Sequence, residues 1–261
     1  MPMSHEMPAF ETSEHLDSLD EAYRTTFRYH DDNERMLRRY VGHVLADMKA
    51  RPIGNLLSLG IGHRVVTTAL LKAAEHVDSY TVIEGSPSII EGFTNDHVLP
   101  GNISIKEGFF EKWTPDRMFD SIEMGFVLEH VVDPALIVRR YRDFLTPDGV
   151  MHIAVPNARS LHRLLGHHAG MLDDLYALND HDRQLGHRHY FDLASITALV
   201  QEAGLDVTAS HGLLLKPLTS GQLELLSLPD EVYEAMCIVG DELPGHCNGM
   251  YLRAEQRHGE E

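Results

Sequence analysis

Leu57-Ser58-Leu59-Gly60-Ile61-Gly62-His63-Arg64 is the most informative stretch of this 261-residue chain. It begins as a short apolar strand and continues into a turn that contains two glycines. A Cβ atom at Gly60 or Gly62 would keep a ligand away from the backbone, so glycine is favoured where a ligand crosses the end of a strand. Apolar residues at helical spacing follow from Val65 to about His76. A strand, a glycine turn and a helix in this order are typical of the ligand-binding edge of a parallel sheet, although one such turn often serves only close packing.

The same alternation continues along the chain. Apolar runs that end at turn residues predict strands at 55–60, 80–84, 103–106, 119–124, 150–155, 205–215 and 249–254. Helical spacing predicts helices at 65–76, from Pro87 onwards, at 134–144, at 191–203 and, interrupted at Pro229, at 220–242. Strands that alternate with helices indicate a mostly parallel sheet with helices on both faces. We therefore predict an α/β fold with a doubly wound sheet of seven strands.

Helical additions are expected around this sheet. Residues 1–52 show helical spacing without a strand, and they end at Arg51-Pro52 because the residue before a proline avoids the helical conformation. We predict that they form a helical N-terminal cap or lid, and that residues 53–261 form the main domain. Within that domain, the segments 157–190 and 217–246 are predicted to be insertions.

Polar and aromatic residues collect where the predicted strands end. Glu84 ends the second strand, where a carboxylate can accept hydrogen bonds from both hydroxyl groups of a ribose. Gly108-Phe109-Phe110 follows the third strand and offers an apolar wall to a flat purine, and Phe126 follows the fourth. Because the carboxyl ends of parallel strands share one edge of a sheet, we expect these residues to surround one nucleoside-binding pocket.

Residues 56–157 resemble the class I S-adenosylmethionine-dependent methyltransferases of the type called methyltransferase domain 11, through these strand ends and the run Leu128-Glu129-His130-Val131. Residues 191–254 resemble the closing strands of that family, of which the last is antiparallel. The resemblance implies a methyltransferase domain at 53–261, S-adenosylmethionine as cofactor and S-adenosylhomocysteine as product. It also implies a cofactor site with the glycine turn at the methionine part, Glu84 at the ribose, the phenylalanine pair at adenine and Phe126 at the sulfonium. The members of this implied site are Gly60, Gly62, His63, Glu84, Gly85, Ser86, Gly108, Phe109, Phe110 and Phe126.

Two residues depart from the pattern of that family. Ser58 stands where the family usually has an acidic residue that orients the turn, and Arg64 stands where it usually has a third glycine. The arginine is expected either to crowd the start of the helix or to reach over and pair with a carboxylate. A fold that has kept its shape but binds nothing is the alternative, and the joint presence of Glu84, Gly108 and Phe126 argues against it.

His130 is the candidate catalytic residue. Methyl transfer from a sulfonium depends mainly on alignment, but an amine or hydroxyl acceptor must also lose a proton. A histidine imidazole titrates near neutral pH, and His130 follows the fourth strand, so it can accept that proton. The resemblance supports an equal alternative, in which the Glu-His pair packs beneath the cofactor as part of the structure.

Substrate contacts are expected from the segment after the fifth strand and from the N-terminal cap. Asn157, His187 and His189 are the candidates in that segment, because doubly wound proteins place variable loops there. Tyr23 and Tyr29 are the candidates in the cap, as aromatic residues of a lid over the sulfonium. Packing onto the sheet is the alternative for the cap residues.

No metal site is predicted from the sequence. The alternative is a divalent ion bound by the histidines of the 157–190 insertion, which are numerous for so short a segment. Such a site would combine His187 and His189 with His162 or His167 and with Asp180 or Asp182. Imidazoles in such a run more often face solvent or bond to backbone carbonyl groups.

The composition limits the partners. The chain has 22 Lys and Arg against 40 Asp and Glu, a formal net charge of −18, which argues against nucleic acid as a partner. No apolar run is long enough to span a bilayer, and the first residues do not resemble a secretion signal. Cys237 and Cys247 are too few for a disulfide framework or a cysteine-based zinc site. A cytoplasmic protein without a membrane partner is therefore predicted.

From these observations we predict methyl transfer to a nitrogen or oxygen of a small-molecule acceptor, by a homo-oligomer. A faint resemblance to the bacterial lincosamide N-methyltransferases suggests a sugar-like or specialised metabolite, and the acidic balance favours a neutral or cationic acceptor. The alternatives are a protein that binds the cofactor without catalysis, a nucleic-acid methyltransferase, and a nicotinamide enzyme, which shares the glycine turn and the acidic ribose ligand.

Overall fold

The computed structural model describes residues 30–257 of the chain. Its strands are β1 (Asn55–Leu59), β2 (Ser79–Glu84), β3 (Ile103–Glu107), β4 (Phe119–Gly125), β5 (Leu145–Pro156), β6 (Leu205–Gly212) and β7 (Gly249–Gln256). They form one sheet in the order β3-β2-β1-β4-β5-β7-β6. The pairs that include β7 are antiparallel and the other pairs are parallel. The predicted seven-stranded sheet with an antiparallel last strand is confirmed.

Helices connect the strands and cover the sheet. They are α1 (His30–Ala50), α2 (Arg64–Ala73), α3 (Pro87–Asp96), α4 (Pro134–Arg142), α5 (Leu161–His168), α6 (Asp180–Gln184), α7 (Leu193–Glu202), α8 (Ser220–Leu226) and α9 (Asp230–Asp241). Side chains that accept amide hydrogen bonds cap several of them, among them Asp133 before α4 and Asp192 before α7. In residues 30–257, no helix has both the length and the apolar character needed to cross a bilayer.

The position of β1 determines where a ligand can bind. The chain passes from β1 to β2 and β3 on one side, and β4 then pairs with the other side of β1. In open α/β sheets, ligands bind outside the carboxyl ends of the strands at the point where the strand order reverses. That point lies here between the ends of β1 and β4.

Two apolar clusters pack the helices against the two faces of the sheet. The neighbouring β1 residues Leu56 and Leu57 are fully buried and belong to different clusters, because successive side chains of a strand point to opposite faces. The first cluster includes Ile137 of α4 and Ile196 of α7, and the second includes Tyr40 of α1. Because β1 is buried on both faces, its sequence is an almost continuous apolar run.

Tyr40 packs directly over Gly125 at the end of β4. The ring is fully buried, and its hydroxyl donates a hydrogen bond to Glu123 Oε1 (2.8 Å). A Cβ atom at Gly125 would lie 2.2 Å from Cε1 of the Tyr40 ring and 2.9 Å from the same glutamate oxygen. The glycine is therefore what allows α1 to close over this strand end.

We expect Gly125→Ala to lower the free energy of unfolding by about 1–3 kcal/mol, because the added carbon overpacks a filled site. Gly42→Ala is the matched control, since Gly42 lies in α1 and a Cβ atom there would meet nothing within 4 Å. Alanine is favoured over glycine inside a helix, so this control is expected to gain about 1 kcal/mol. Urea unfolding of both variants measures the difference, and an unchanged midpoint for Gly125→Ala would contradict the packing.

Some sequence expectations are adjusted or lie outside the described residues. The strand predicted to reach residue 215 ends at Gly212; beyond it the Leu213 amide donates to the Gly249 carbonyl oxygen (3.1 Å), and the Leu214 carbonyl oxygen accepts from the Asn248 amide (2.7 Å). Tyr23 and Tyr29 lie outside the described residues. The division into a cap at 1–52 and a domain at 53–261, and the homo-oligomer, stay predictions.

Candidate active site

A cavity of about 950 Å³ opens at the carboxyl ends of the strands, where the strand order reverses. Its size and its mixed apolar and polar walls are typical of sites for cofactor-sized ligands. Ser86 and His189 do not line it. The other described candidate residues do: Gly60, Gly62, His63, Glu84, Gly85, Gly108, Phe109, Phe110, Phe126, His130, Asn157 and His187.

The glycine turn after β1 forms one wall of the cavity. Gly60 and Gly62 have φ angles of 84° and 50°, in a region that residues with a side chain rarely adopt. The Gly60 amide donates a hydrogen bond to the Ile83 carbonyl oxygen (2.7 Å), which ties the turn to β2. A Cβ atom at Gly62 would meet no described atom within 4 Å, so open space lies next to the backbone. The turn therefore fits a ligand that lies against the main chain.

Glu84 ends β2 and is only 7% exposed. Its Oε2 accepts a hydrogen bond from the Ile61 amide (3.0 Å), and its Oε1 accepts one from the Ser86 amide (2.9 Å). These two bonds hold the carboxylate between two turns at the edge of the cavity. Because an ionised carboxylate has about four acceptor positions, the two amides do not use all of them. The geometry fits the expected ribose ligand.

The Ser86 side chain caps a helix, and its expected place in the cofactor site stays a prediction. It is fully buried, and its hydroxyl oxygen accepts a hydrogen bond from the Ile89 amide (3.1 Å) at the start of α3. Pro87 occupies the first position of that helix, where its fixed φ angle and missing amide hydrogen are tolerated. Serine followed by proline thus serves as a helix cap beside the cavity.

Aromatic residues form the apolar wall. Phe109 and Phe110 line the cavity, and the amide of the preceding Gly108 donates to the Glu84 carbonyl oxygen (2.9 Å). Phe126 has a φ angle of 59°, which is strained for a residue other than glycine. Its ring packs edge-on against Tyr40, with 6.2 Å between the centroids. Such strain is maintained by surrounding contacts and is common at ligand sites.

A buried acid stands beside Ser58, on the neighbouring strand. Ser58 pairs in register with Glu123 of β4, and its hydroxyl lies 3.0 Å from the Tyr80 hydroxyl. Glu123 lines the cavity and accepts hydrogen bonds from the Tyr40 hydroxyl (2.8 Å) and the Gly125 amide (2.7 Å). Burial raises the pKa of Glu123. The sequence analysis missed this residue, although a glutamate between Ile122 and Met124 in a buried strand was a visible signal.

Arg64 pairs with a carboxylate, the second of the two outcomes considered for it. It begins α2 and forms an ion pair with Asp96 at the end of α3. Both side chains are about half exposed, so the pair contributes little to stability. Arg64 does not line the cavity, and the departure at this position leaves the glycine turn open.

The side chains of Glu129, His130 and His187, all of types that can bind a metal ion, lie close together in the segments that follow β4 and α6. His130 Nε2 lies 4.0 Å from Glu129 Oε1, and the His130 and His187 rings meet nearly at right angles with centroids 4.8 Å apart. Glu129 is 1% exposed, and this burial raises its pKa to about 8. All three residues line the cavity. The sequence analysis had not associated His187 with the Glu-His pair, because only the fold brings these distant segments together.

His189 lies away from the cavity, which corrects the expectation that it shares one side with His187. The amides of Arg188 and His189 both donate to the Glu129 carbonyl oxygen (2.7 and 3.2 Å), so the segment turns instead of running extended. His189 Nε2 lies 2.9 Å from the Val131 carbonyl oxygen. The alternative metal site that combined both histidines is therefore not formed.

Asn157 lines the cavity, but its side chain is committed to the backbone. Nδ2 donates to the Cys247 carbonyl oxygen (3.0 Å), and Oδ1 accepts from the Arg159 amide (2.8 Å). These bonds join the loop after β5 to the segment before β7. They position this loop, and the expected contact of Asn157 with substrate stays a prediction.

A buried polar cluster that the sequence analysis missed also lines the cavity. Lys216 Nζ donates to Asp32 Oδ2 of α1 (2.8 Å) and to the Ser220 hydroxyl (2.7 Å). His162 of α5 lines the same region, and burial together with the positive charge of Lys216 lowers its pKa to about 3. No sequence pattern links Asp32 to Lys216, because they lie at opposite ends of the chain.

Comparison with known proteins identifies the family. A family profile described as "Methyltransferase domain" matches residues 29–210, which are more than half of the chain. A search of curated proteins found no match to the chain. Among solved structures, the chain is similar to the putative methyltransferase of Haloferax volcanii in complex with the Trm112 methyltransferase activator. The identity is 14%, over 94% of this chain and 98% of that chain, with a TM-score of 0.58.

Two further structures are similar at low identity. One is the N-methyltransferase NodS from Bradyrhizobium japonicum WM9 (16% identity, 87% of this chain and 99% of that chain, TM-score 0.53). The other is DhpI in complex with SAH (17% identity, 95% of this chain and 97% of that chain, TM-score 0.55). The sheet order and the profile match define a class I S-adenosylmethionine-dependent methyltransferase, as the resemblance implied. The chain belongs to the methyltransferase domain family.

Proposed function

We propose that the protein transfers a methyl group from S-adenosylmethionine to a nitrogen or oxygen of a small, neutral or cationic acceptor of the sugar-like or specialised-metabolite type. The observation that carries the proposal is one cavity of about 950 Å³, which has a glycine turn, a buried carboxylate and two phenylalanines at one set of strand ends and titratable side chains at another. A cavity of this size can hold a cofactor together with part of a small acceptor.

The cofactor would be held by the residues at the ends of the first strands. The Gly60–Gly62 turn accepts a ligand close to its backbone, and Glu84 can accept hydrogen bonds from two ribose hydroxyls. Phe109 and Phe110 offer a flat apolar wall for the base. When bound, S-adenosylmethionine supplies a methyl group that its sulfonium already activates for displacement.

The chain itself supplies alignment, exclusion of water and a path for a proton. Holding the acceptor in line is worth about 7–11 kcal/mol at best, which exceeds what a single proton-accepting group contributes. Phe126, Met36 and Leu37 give this part of the cavity an apolar surface beside its polar groups. The proton that an amine or hydroxyl loses would pass to His130, next to which the Glu129 carboxyl, once ionised, can stabilise the positive charge.

Each alternative function would require a cavity with a different charge or different side chains. A nucleic-acid substrate needs a basic track, whereas the chain carries a net charge of −18 and the cavity is also lined by Asp32, Glu84, Glu123 and Glu129. The similar protein from Haloferax volcanii is in complex with a Trm112 activator. A protein partner for this chain is therefore a second possibility. A protein that binds the cofactor without catalysis would not need titratable side chains near Phe126.

We expect the purified full-length protein to form S-adenosylhomocysteine only when an acceptor is present, in an assay of S-adenosylmethionine with a panel of amines, sugars and phenols. Mass spectrometry of the acceptor then distinguishes nitrogen from oxygen methylation. S-adenosylhomocysteine, and not NAD, is expected to raise the melting temperature, because a ligand at one hundred times its dissociation constant adds about 2.7 kcal/mol.

Two outcomes would contradict this proposal. Tight cofactor binding without loss of the methyl group across the whole panel would indicate a non-catalytic protein. Strong, salt-dependent binding to RNA would indicate a nucleic-acid methyltransferase.

A further inference from the structure

We propose that Glu129, His130 and His187 form a binding site for one divalent transition-metal ion at the cavity wall. Each residue offers one ligand atom, and these atoms all lie within 4.8 Å of one another. Protein ligands lie about 2.0–2.2 Å from zinc, so small rotations of the side chains would bring the three atoms around one ion.

The carboxylate is the strongest sign that a ligand belongs here. Glu129 is 1% exposed, and its Oε2 has no hydrogen-bond partner in the part of the chain that the structure describes. A buried carboxylate oxygen without a partner is costly, and a cation satisfies it directly.

The three residues are held in place by their backbones. The amides of Arg188 and His189 donate to the Glu129 carbonyl oxygen, which fixes the turn that carries His187 against the end of β4. The His187 amide also donates to the Asp182 carbonyl oxygen (2.9 Å). The site is thus formed by two segments that main-chain hydrogen bonds join, and it does not depend on exposed, mobile side chains.

A buried carboxylate, that of Asp182, lies near one of the histidines. Asp182 Oδ1 lies 3.9 Å from His187 Nδ1, and the same oxygen accepts a hydrogen bond from the Tyr190 hydroxyl (3.0 Å). Asp182 Oδ2 accepts from the Asn179 amide (2.8 Å), so the carboxylate itself is fixed. Histidines that bind metals commonly direct their other ring nitrogen to a carboxylate.

The ligand set selects a class of metal. Two imidazoles and one carboxylate are the ligands of several catalytic zinc sites and of non-haem iron(II) sites, in which water or substrate takes the open positions. Magnesium prefers oxygen ligands only, so it suits this set poorly. A second group, His43, His211 and Asp241, has similar ligands, but Asp241 is already paired with Arg39, whose charge would repel a cation.

The ion would change how the site treats an acceptor. This consequence rests on the proposed methyl transfer, whereas the metal site itself does not. The open positions would face the cavity and could take an acceptor oxygen, and the ion would lower the pKa of that hydroxyl. His130 would contribute one ring nitrogen to the ion.

Cobalt(II) titration of the chelator-treated, full-length protein, with no cofactor or acceptor present, tests the site. We expect one equivalent of Co²⁺ to bind with visible d–d absorption, and Zn²⁺ but not Mg²⁺ to displace it. Glu129→Gln and His187→Gln preserve size and are expected to weaken Co²⁺ binding at least tenfold, whereas His211→Ala, in the second group, is expected to leave it unchanged. Circular dichroism checks that the variants fold.

An absence of Co²⁺ binding would overturn the metal site, as would an unchanged affinity in both folded glutamine variants. Affinity for S-adenosylhomocysteine, measured on the same metal-free samples, reports on the proposed function separately. Loss of Co²⁺ binding would therefore count against the metal site alone, and loss of S-adenosylhomocysteine binding would count against the proposed function alone.

Discussion

Glu84→Ala is expected to weaken the binding of S-adenosylhomocysteine by at least about 100-fold, because a hydrogen bond to a charged group is worth about 1.5–3 kcal/mol and two ribose hydroxyls would lose theirs. The carboxylate is buried and held by the amides of Ile61 and Ser86, so it does not have to be ordered when the ligand binds. Isothermal titration calorimetry with S-adenosylhomocysteine measures the change.

The same two amides make controls necessary. Alanine leaves both amides without the carboxylate, which costs about 1–3 kcal/mol of folding free energy for each. Glu84→Gln retains one acceptor oxygen and has the same size, so it is expected to fold more stably and still bind weakly. Glu107→Ala is the matched control, because Glu107 is the exposed register partner of Glu84 at the end of β3 and does not line the cavity. An unchanged dissociation constant in folded Glu84→Ala would remove the ribose ligand from the proposed site.

His130→Ala is expected to lower turnover by about 10²–10⁴-fold, the range that a positioned proton-transfer group contributes. The imidazole lies at the end of β4 beside Glu129 and His187, and not at the glycine turn or Glu84. The dissociation constant of S-adenosylhomocysteine is therefore expected to stay within about twofold of that of the unchanged protein. Single-turnover kinetics together with calorimetry separates the two quantities.

His189→Ala is the matched control for that variant. His189 is the nearby histidine whose Nε2 lies against the Val131 carbonyl oxygen and outside the cavity. Its loss is expected to affect stability more than turnover. Full activity of His130→Ala across pH 6–9 would return His130 to the packing role that the resemblance had equally allowed.

Much of the sheet could be predicted from the sequence because its strands are buried on both faces. The β1 run from Leu56 to Leu59 is apolar for that reason, and the glycine turn that ends it needs positive φ angles. Caps such as Ser86-Pro87 are local too, so they mark helix starts without knowledge of the rest of the fold. What a cap does not reveal is whether its hydroxyl also faces a ligand, so the place of Ser86 in the cofactor site stays a prediction.

The polar part of the site depends on contacts between distant segments. His187 and His189 are two positions apart, yet one faces the cavity and the other the Val131 carbonyl oxygen, because the main chain turns against Glu129. Glu123 lies on a different strand from Ser58, and their adjacency follows from strand order alone.

The amino-acid sequence by itself determined the alternation of strands and helices, the edge at which a ligand binds and the carboxylate at the end of β2, since each depends on short-range periodicity and backbone conformation. Only the tertiary structure decided which histidine joins Glu129, how α1 closes over Gly125 and how Lys216 meets Asp32. Those contacts form between residues far apart in the chain, where shape and hydrogen-bond geometry select partners that no local pattern encodes.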